Sequence, residues 1–443
     1  MQFLLKRHVR GSELRSCVAV CVALAWGGGF SLQPAVAQQH PMAAPESVGM
    51  SSERLETLDR GVQRWIDEDQ IAGAVLLVAR DGKVVHLSAL GDRYREGPDA
   101  MEVDDIFYIQ SMTKSIVTTA LMMLFEEGHF LLDDPIARYL PEVADKMVAT
   151  RTQGGVVREP AARPITFRHV LTHTSGVDPD RDMLTRSEQE LLGREATLEA
   201  TLTARAPLPL GFHPGEAWEY GSSTDYVALL VERISGQSLD RFLQERILGP
   251  LGMVDTGYNV PASKTDRIVA VYTATGPGRT IELNTEPGGR PTTRYFGGVA
   301  GLFSTAPDYF RFAQMILNGG ELDGVRILSP TTVNLMVSNH VGDLPIRACV
   351  SSDGYGFGLS FTIVTDVGLS REPLTPGSFG WCGAWNTLYW IDPTERTVMI
   401  MMTQLTNPGS AMRRAFPGFV MQAITESHHS GPKGIEMYRA IER

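Results

Sequence analysis

Ser111 and Lys114 stand three residues apart in Tyr108-Ile109-Gln110-Ser111-Met112-Thr113-Lys114, at the head of an apolar run that reaches Phe125. With a helix starting at Ser111, residues i and i+3 share one face about 5–6 Å apart, so the amine can reach the hydroxyl. The backbone N–H groups of a helix start are free, and with the helix dipole they stabilise negative charge beside the serine. This is the layout of a nucleophile with a base. Spacing alone carries little, because Ser430-Gly431-Pro432-Lys433 repeats it around a Gly-Pro centre that cannot build a buried helix. No G-x-S-x-G turn announces a histidine-based triad. A lysine-based centre needs a tyrosine from another element, and Pro214-Gly215-Glu216-Ala217-Trp218-Glu219-Tyr220-Gly221-Ser222 offers Tyr220. Phenols and alkylammonium groups titrate near 10, so neither is a base at neutral pH until neighbours or burial shift it. The residues leave open which of the two holds the proton.

Periodicity supplies the elements that must position these groups. A helix is expected over 50–68, capped by Ser51 or Ser52, with Leu55, Leu58, Val62 and Ile66 on one stripe. The runs 73–79 and 83–87 flank Asp81-Gly82 as a hairpin. The segment 111–127 is apolar nearly all round, which predicts a helix buried between layers, ended by Gly128. From 132 to 288 the signals are helices, over 165–171, 225–235 and 239–248, joined by irregular stretches. Two of these, 145–164 and 259–294, are long enough to line a site. Strands return at 357–364, 378–381, 387–391 and 397–404, with helices over 308–318 and 411–425. The expected fold is therefore α/β in the α+β sense: a largely antiparallel sheet flanked by helices, built from 46–131 plus 289–427, with an all-helical lobe, 132–288, inserted. The site belongs where the two meet.

Composition narrows the setting. The chain has 443 residues, 43% hydrophobic and 21% charged, with a net charge of −11, which describes a globular protein. Lys6, Arg7, Arg10 and Arg15 precede a short apolar segment and then Ala35-Val36-Ala37, the layout of a secretory signal over 1–37. Export to the periplasm or medium is expected, with no membrane span after the signal is removed. Its loss removes four basic residues and one acidic one, so the mature chain is more acidic still and unsuited to nucleic acid or anionic membranes. Cys349 and Cys382 remain, and one disulfide is possible but not implied. His169 and His173 lie at i and i+4, but no glutamate follows His169, so the zinc-protease motif is absent. Gly297-Gly298-Val299-Ala300-Gly301 lacks the lysine and the strand-turn-helix frame of a phosphate loop and reads as backbone packing or a site wall. No metal and no cofactor are expected.

Several segments in order resemble the β-lactamase-related serine hydrolases, the group of class C β-lactamases, D-Ala-D-Ala peptidases and family VIII carboxylesterases. They are Ser111-Met112-Thr113-Lys114, Leu131-Leu132-Asp133-Asp134-Pro135, Tyr139-Leu140-Pro141, Leu171-Thr172-His173-Thr174-Ser175-Gly176, Pro214 to Ser222, Pro250-Leu251-Gly252-Met253 and Gly301-Leu302-Phe303-Ser304-Thr305. The resemblance implies a β-lactamase/transpeptidase-like fold, Ser111 as nucleophile, and Lys114 with Tyr220 as the base system. It also implies an oxyanion hole from the N–H groups of Ser111 and Ala384. Two departures bear on substrate. Ser222 stands where β-lactamases and peptidases have an asparagine that can hold a substrate amide. In Phe379-Gly380-Trp381-Cys382-Gly383-Ala384, Trp381 and Gly383 occupy the place of Lys-Thr-Gly, whose lysine pairs with a substrate carboxylate. Family VIII esterases have Trp-x-Gly there, and Trp381 offers an apolar wall with one N–H donor. The expectation is a carboxylesterase acting on small-molecule esters, with Ser222, Trp381 and Gly383 at the substrate. The alternatives are β-lactam or D-amino-acid peptide hydrolysis or acyl transfer by the same residues, and a non-catalytic penicillin sensor.

Overall fold

An eight-stranded antiparallel sheet brings the early and late parts of the chain together. Its order is Tyr355–Phe357, Thr362–Val364, Phe379–Cys382, Leu388–Asp392, Thr397–Met402, Gly73–Arg80, Lys83–Tyr94 and Asp99–Ala100. The computed structural model describes residues 42–97, 99–275, 280–286, 292–347, 349 and 353–428. The expected signal segment and the second Ser-x-x-Lys lie outside them. The closing pair is Thr397–Met402 on Gly73–Arg80, with Leu77 opposite Ile400. Every residue of Gly73–Arg80 is buried, as its unbroken apolar run requires of a strand covered on both faces.

Helices supply the cover. Ser52–Asp67, capped by Ser51 accepting from the Arg54 N–H, packs on Ala411–Met421, and a Cβ on Gly61 would lie 2.7 Å from the Phe419 ring. Ala306–Leu317 and the Thr113–Glu126 helix meet the sheet through Tyr309, whose ring lies 4.9 Å from that of Tyr389. Residues 113–124 are all buried, so the hydroxyls on this helix need partners. Ser115 Oγ has Tyr389 Oη at 2.7 Å, Thr118 Oγ1 has Ser360 Oγ at 2.6 Å, and Thr119 Oγ1 donates to the Ser115 carbonyl at 2.9 Å. At one end of the sheet Arg80, 0% exposed, donates to Glu395 Oε2 at 2.7 Å and to the carbonyls of Val48, Gly49, Glu395 and Glu426.

Three segments differ from expectation. The single strand expected over 357–364 is a hairpin, Tyr355–Phe357 with Thr362–Val364, turning through Ser360 at φ +65°. Residues 145–164 form the hairpin Met147–Thr152 with Gly155–Pro160. Its second strand is exposed throughout, so it has no inside-outside alternation to betray it. A further hairpin, Tyr272–Thr275 with Thr280–Leu283, lies within 259–294. The lobe between the sheet halves is thus helical with added hairpins rather than all-helical. Among its helices, Ser223–Ser235 crosses the Thr113–Glu126 helix, and Leu239–Leu243 continues into a π-helical turn, Gln244–Leu248.

Candidate active site

Ser111 does not open the α-helix as the spacing suggested. It lies in a 3-10 turn, Gln110–Met112, that feeds the helix at Thr113. Gln110 before it is held at φ +48°, a conformation costing on the order of 1–2 kcal/mol for a residue with a Cβ. The neighbours impose it: Ile109 N–H donates to the Leu302 carbonyl at 3.0 Å, the Ile109 carbonyl accepts from Thr387 Oγ1 at 3.3 Å, and Tyr309 Oη donates to the Met112 carbonyl at 3.1 Å. The turn keeps the i, i+3 relation. Lys114 Nζ lies 3.3 Å from Ser111 Oγ.

Lys114 is 1% exposed. Its Nζ donates to the Val299 carbonyl at 2.9 Å and sits 4.6 Å from the centre of the Tyr220 ring. No carboxylate among the described residues forms an ion pair with it. Val299 is presented by the glycine-rich wall, which Asp225 fastens by accepting the Gly298 N–H at 2.8 Å and the Val299 N–H at 3.0 Å. Gly298 must be glycine, since a Cβ there would lie 2.0 Å from the Thr224 carbonyl oxygen. Burial raises the Asp225 carboxyl above its ordinary range, while the two N–H groups and Lys114 pull it back.

Tyr220 arrives from the lobe, and its hydroxyl donates to Ser111 Oγ at 2.7 Å. Two structures hold its loop. Glu219 N–H donates to the His173 carbonyl and Gly215 N–H to the Thr174 carbonyl, so the His173–Gly176 turn carries it from below. Asp178 takes the Ser222 N–H and hydroxyl, each at 2.6 Å, and a Cβ on Gly221 would collide with that carboxylate. The Ser222 hydroxyl is therefore engaged by Asp178. His169 and His173 have different surroundings. His169 Nδ1 accepts the Thr166 N–H at 3.1 Å, whereas both nitrogens of His173 are buried without hydrogen-bond partners beside Tyr220, Trp218 and Phe357. Burial first, then the Lys114 charge, holds His173 well below the usual imidazole range, so a neutral ring lies under Tyr220.

The second wall is the Phe379–Cys382 strand and the turn after it. Trp381 is 1% exposed, 5.3 Å from the Tyr220 ring and 5.4 Å from Phe357, with its indole N–H unpartnered. Gly383 passes so near the other wall that a Cβ would lie 2.6 Å from the Ile109 carbonyl oxygen. The open pairing of the cysteines is resolved: Cys349 and Cys382 form a disulfide, Cα to Cα 5.7 Å. Neither the Ser111 nor the Ala384 N–H has a hydrogen-bond partner among the described residues. Arg413 acts on the same peptide, because its Nη2 donates to the Gly383 carbonyl at 2.6 Å while its Nε donates to Asn386 Oδ1 at 3.2 Å. The Asn386 N–H closes the turn on that carbonyl at 3.0 Å. The Gly383–Ala384 peptide is thus clamped at its oxygen and free at its N–H. Ser111, Lys114, Tyr220, Ala384, Trp381 and Gly383 come together, with Ser222 bound to Asp178 at their margin. The reading of 297–301 as backbone packing or a site wall agrees with the Val299 carbonyl on Lys114, while Arg413, Asp178 and Asp225, which belong to no local motif, escaped it.

This arrangement surrounds one hydroxyl with a phenol, an amine and two unspent N–H groups. It suits attack on a carbonyl with proton transfer along the 2.7 Å contact and an anion held between the N–H groups.

Known proteins match over the same span. The model of the Beta-lactamase family matches residues 56–417. Protein Rv1367c of Mycobacterium tuberculosis (strain H37Rv) is 34% identical over 354 residues, covering 77% of this chain and 88% of the relative. Esterase EstB of Burkholderia gladioli is 27% identical, with 80% and 91% covered. Among solved structures, EstCE1, described as a hydrolase with promiscuous acyltransferase activity, superposes with a TM-score of 0.71 at 25% identity, covering 84% of this chain and 99% of that one.

Proposed function

This chain belongs to the Beta-lactamase family, and from that premise we propose that it is an exported serine hydrolase that cleaves carboxylic esters. Ser111 Oγ attacks the ester carbonyl carbon, and its proton passes to the Tyr220 and Lys114 pair, which accepts it when the two together hold one proton fewer than a phenol and an ammonium. The oxyanion that forms is held by the Ser111 and Ala384 N–H groups. Collapse expels the alcohol, which takes its proton from Tyr220, and leaves the acyl group on Ser111. Water then attacks that carbonyl, gives its proton to the same pair, and releases the carboxylic acid as Ser111 recovers its hydrogen.

The observation that carries this reading is the convergence of Tyr220 Oη at 2.7 Å and Lys114 Nζ at 3.3 Å on Ser111 Oγ. Neutral esters are favoured because the buried Trp381 puts no cation where a substrate carboxylate would pair and Ser222 is engaged by Asp178. Esterase EstB and EstCE1 support the reaction type. The Cys349–Cys382 disulfide supports export, since such bonds persist in oxidising compartments. The test pairs short-chain nitrophenyl esters with a chromogenic cephalosporin. Esters are expected to be turned over with the higher kcat/KM, and Ser111→Ala to abolish that turnover. Undiminished hydrolysis in Ser111→Ala, or a hundredfold preference for the cephalosporin, overturns the reading. EstCE1 favours a second reaction on the same acyl-enzyme, in which an added alcohol replaces water as acceptor.

A further inference from the structure

A small apolar cavity lies beside the two chains whose N–H groups would hold the oxyanion. It has a volume of about 220 Å³, and Tyr108, Phe303 and Trp385 form one side of it. Tyr108 lies 4.9 Å, ring centre to ring centre, from both Phe303 and Trp385. Ile268, Val269, Ala270, Val271 and Leu283 complete the apolar lining, from the hairpin Tyr272–Thr275 with Thr280–Leu283 and the residues before it. The amide donors of the lining are engaged elsewhere: Gln404 Nε2 donates to the Tyr108 and Thr403 carbonyls and Asn284 Nδ2 to Thr273 Oγ1. What remains is mostly hydrocarbon surface.

We infer that this cavity receives the acyl chain of the ester substrate, an inference that rests on Ser111 being the nucleophile of an ester hydrolase. Position carries the argument. Tyr108 is three residues before Ser111 and Trp385 follows Ala384 directly, so the cavity is flanked by both arms of the oxyanion site. None of Ser111, Lys114, Tyr220, Trp381 and Ala384 lines it, so it begins one residue beyond the reacting groups. A tetrahedral intermediate has four substituents: Ser111 Oγ, the oxyanion between the two N–H groups, the leaving oxygen beside Tyr220, and the acyl carbon. With three directions taken, the acyl chain is left to run away from the base, along Tyr108 and Trp385. Size sets its length. At roughly 30 Å³ for each water-sized group, the cavity holds a chain of about half a dozen carbons. It is smaller than the ~300–1,000 Å³ of a complete ligand pocket, as befits one part of a substrate.

The experiment reads kcat/KM for nitrophenyl acetate, butyrate, hexanoate and decanoate with the full chain. Wild type is expected to gain roughly threefold to fourfold per buried methylene up to hexanoate and to decline at decanoate. Ala270→Phe and Leu283→Trp each fill the cavity and lie outside the Ser111 machinery. Each is expected to lower hexanoate turnover at least tenfold and leave acetate within twofold. An unchanged chain-length profile in a folded variant, or an equal fall at every length, overturns the inference. Nitrophenyl alkylphosphonates separate its failure from that of the ester reading. Ser111 Oγ bonds to phosphorus, nitrophenolate leaves, and no turnover is needed. Hexyl labelling that is faster than ethyl, and slowed in both variants, upholds the cavity even where no ester is hydrolysed. Equal rates for the two alkyl lengths, or no labelling at Ser111, remove it.

Discussion

Two buried basic side chains, Arg80 and Lys114, are equally withheld from water and differently satisfied. Arg80 has a carboxylate and four carbonyl oxygens for its donors. Lys114 has one carbonyl, one hydroxyl and the face of a ring. A charge removed from water is costly unless paired and hydrogen-bonded. The complete shell of Arg80 is that of a group fixing structure, here tying the 3-10 turn before Gly49, the sheet end and the segment at Glu426. The partial shell of Lys114 leaves its Nζ facing the Ser111 hydroxyl at 3.3 Å and the Tyr220 ring, where the proposed mechanism exchanges a proton. On the proposed mechanism, incomplete satisfaction next to the nucleophile marks the basic group that exchanges a proton.

Removing each cation should break the comparison in opposite ways. Lys114→Met keeps much of the side-chain volume and deletes the amine of the proposed base pair. Ester kcat is expected to fall by about 10³, within the range for loss of a general base, while the midpoint of urea unfolding holds or rises. Arg80→Met leaves Glu395 buried and unpaired, and a loss of roughly 3–5 kcal/mol of stability is expected, with activity per folded molecule close to wild type. Urea titrations and active-site counts by phosphonate labelling measure both. Should Lys114→Met lose as much stability as Arg80→Met and little activity, the distinction collapses.

Arg413 sharpens the comparison because it lies between the two cases. Burial lowers its guanidinium from the ordinary range, and it fixes structure, but the structure it fixes is the Gly383–Ala384 peptide. Arg413→Met is expected to reduce kcat by about 10- to 100-fold. That is less than the 10²–10³ for deleting an oxyanion donor outright, because the peptide is loosened and not lost. KM should move little, and Arg413→Lys should recover part of the loss by restoring one donor to the carbonyl. A rise in KM at constant kcat would instead place Arg413 at the ground-state substrate.

These contacts also explain what was legible in the sequence. Ser111 and Lys114 are i and i+3, and apolar periodicity announces the helix that carries Lys114, so their meeting could be read locally. The sheet closing 73–80 on 397–402 followed from two apolar runs that had no other place to be buried. Arg413 and Asp178 left no such mark, and of 297–301 the wall was legible but not the Val299 carbonyl it aims at Lys114. Arg413 and Val299 meet the site through backbone carbonyls, which every residue possesses, and Asp178 reaches Ser222 across 44 positions of chain. The hairpin 147–160 was read as loop because Val156 and Val157 face solvent, 41% and 51% exposed. Gln110 escaped for a different reason. Its left-handed backbone is imposed by Leu302 and Thr387, and nothing in its own side chain asks for it.

The smallest expected effect concerns the histidine that the zinc-like spacing drew attention to. His169 Nδ1 accepts the Thr166 N–H while Thr166 Oγ1 accepts the His169 N–H, a reciprocal cap on the helix Phe167–Leu171. Protonating Nδ1 abolishes one of the two bonds. Burial, and then the charge of Arg163, lowers the imidazole to about 4. The unfolded chain takes up this proton as pH falls through about 6.5, and the folded chain does so only near 4. Stability is therefore lost progressively across that window and is untouched above it. Solvent on the open side of the ring reduces the loss to roughly 1–2 kcal/mol. Gln at this position keeps the reciprocal cap without the titration. Urea unfolding at about pH 7 and about pH 4.5 should show His169→Gln losing roughly 1–2 kcal/mol less than wild type on acidification. His173 is present in both proteins and cancels in the difference. An equal loss in the two would mean that the Thr166 cap already accommodates a charged ring.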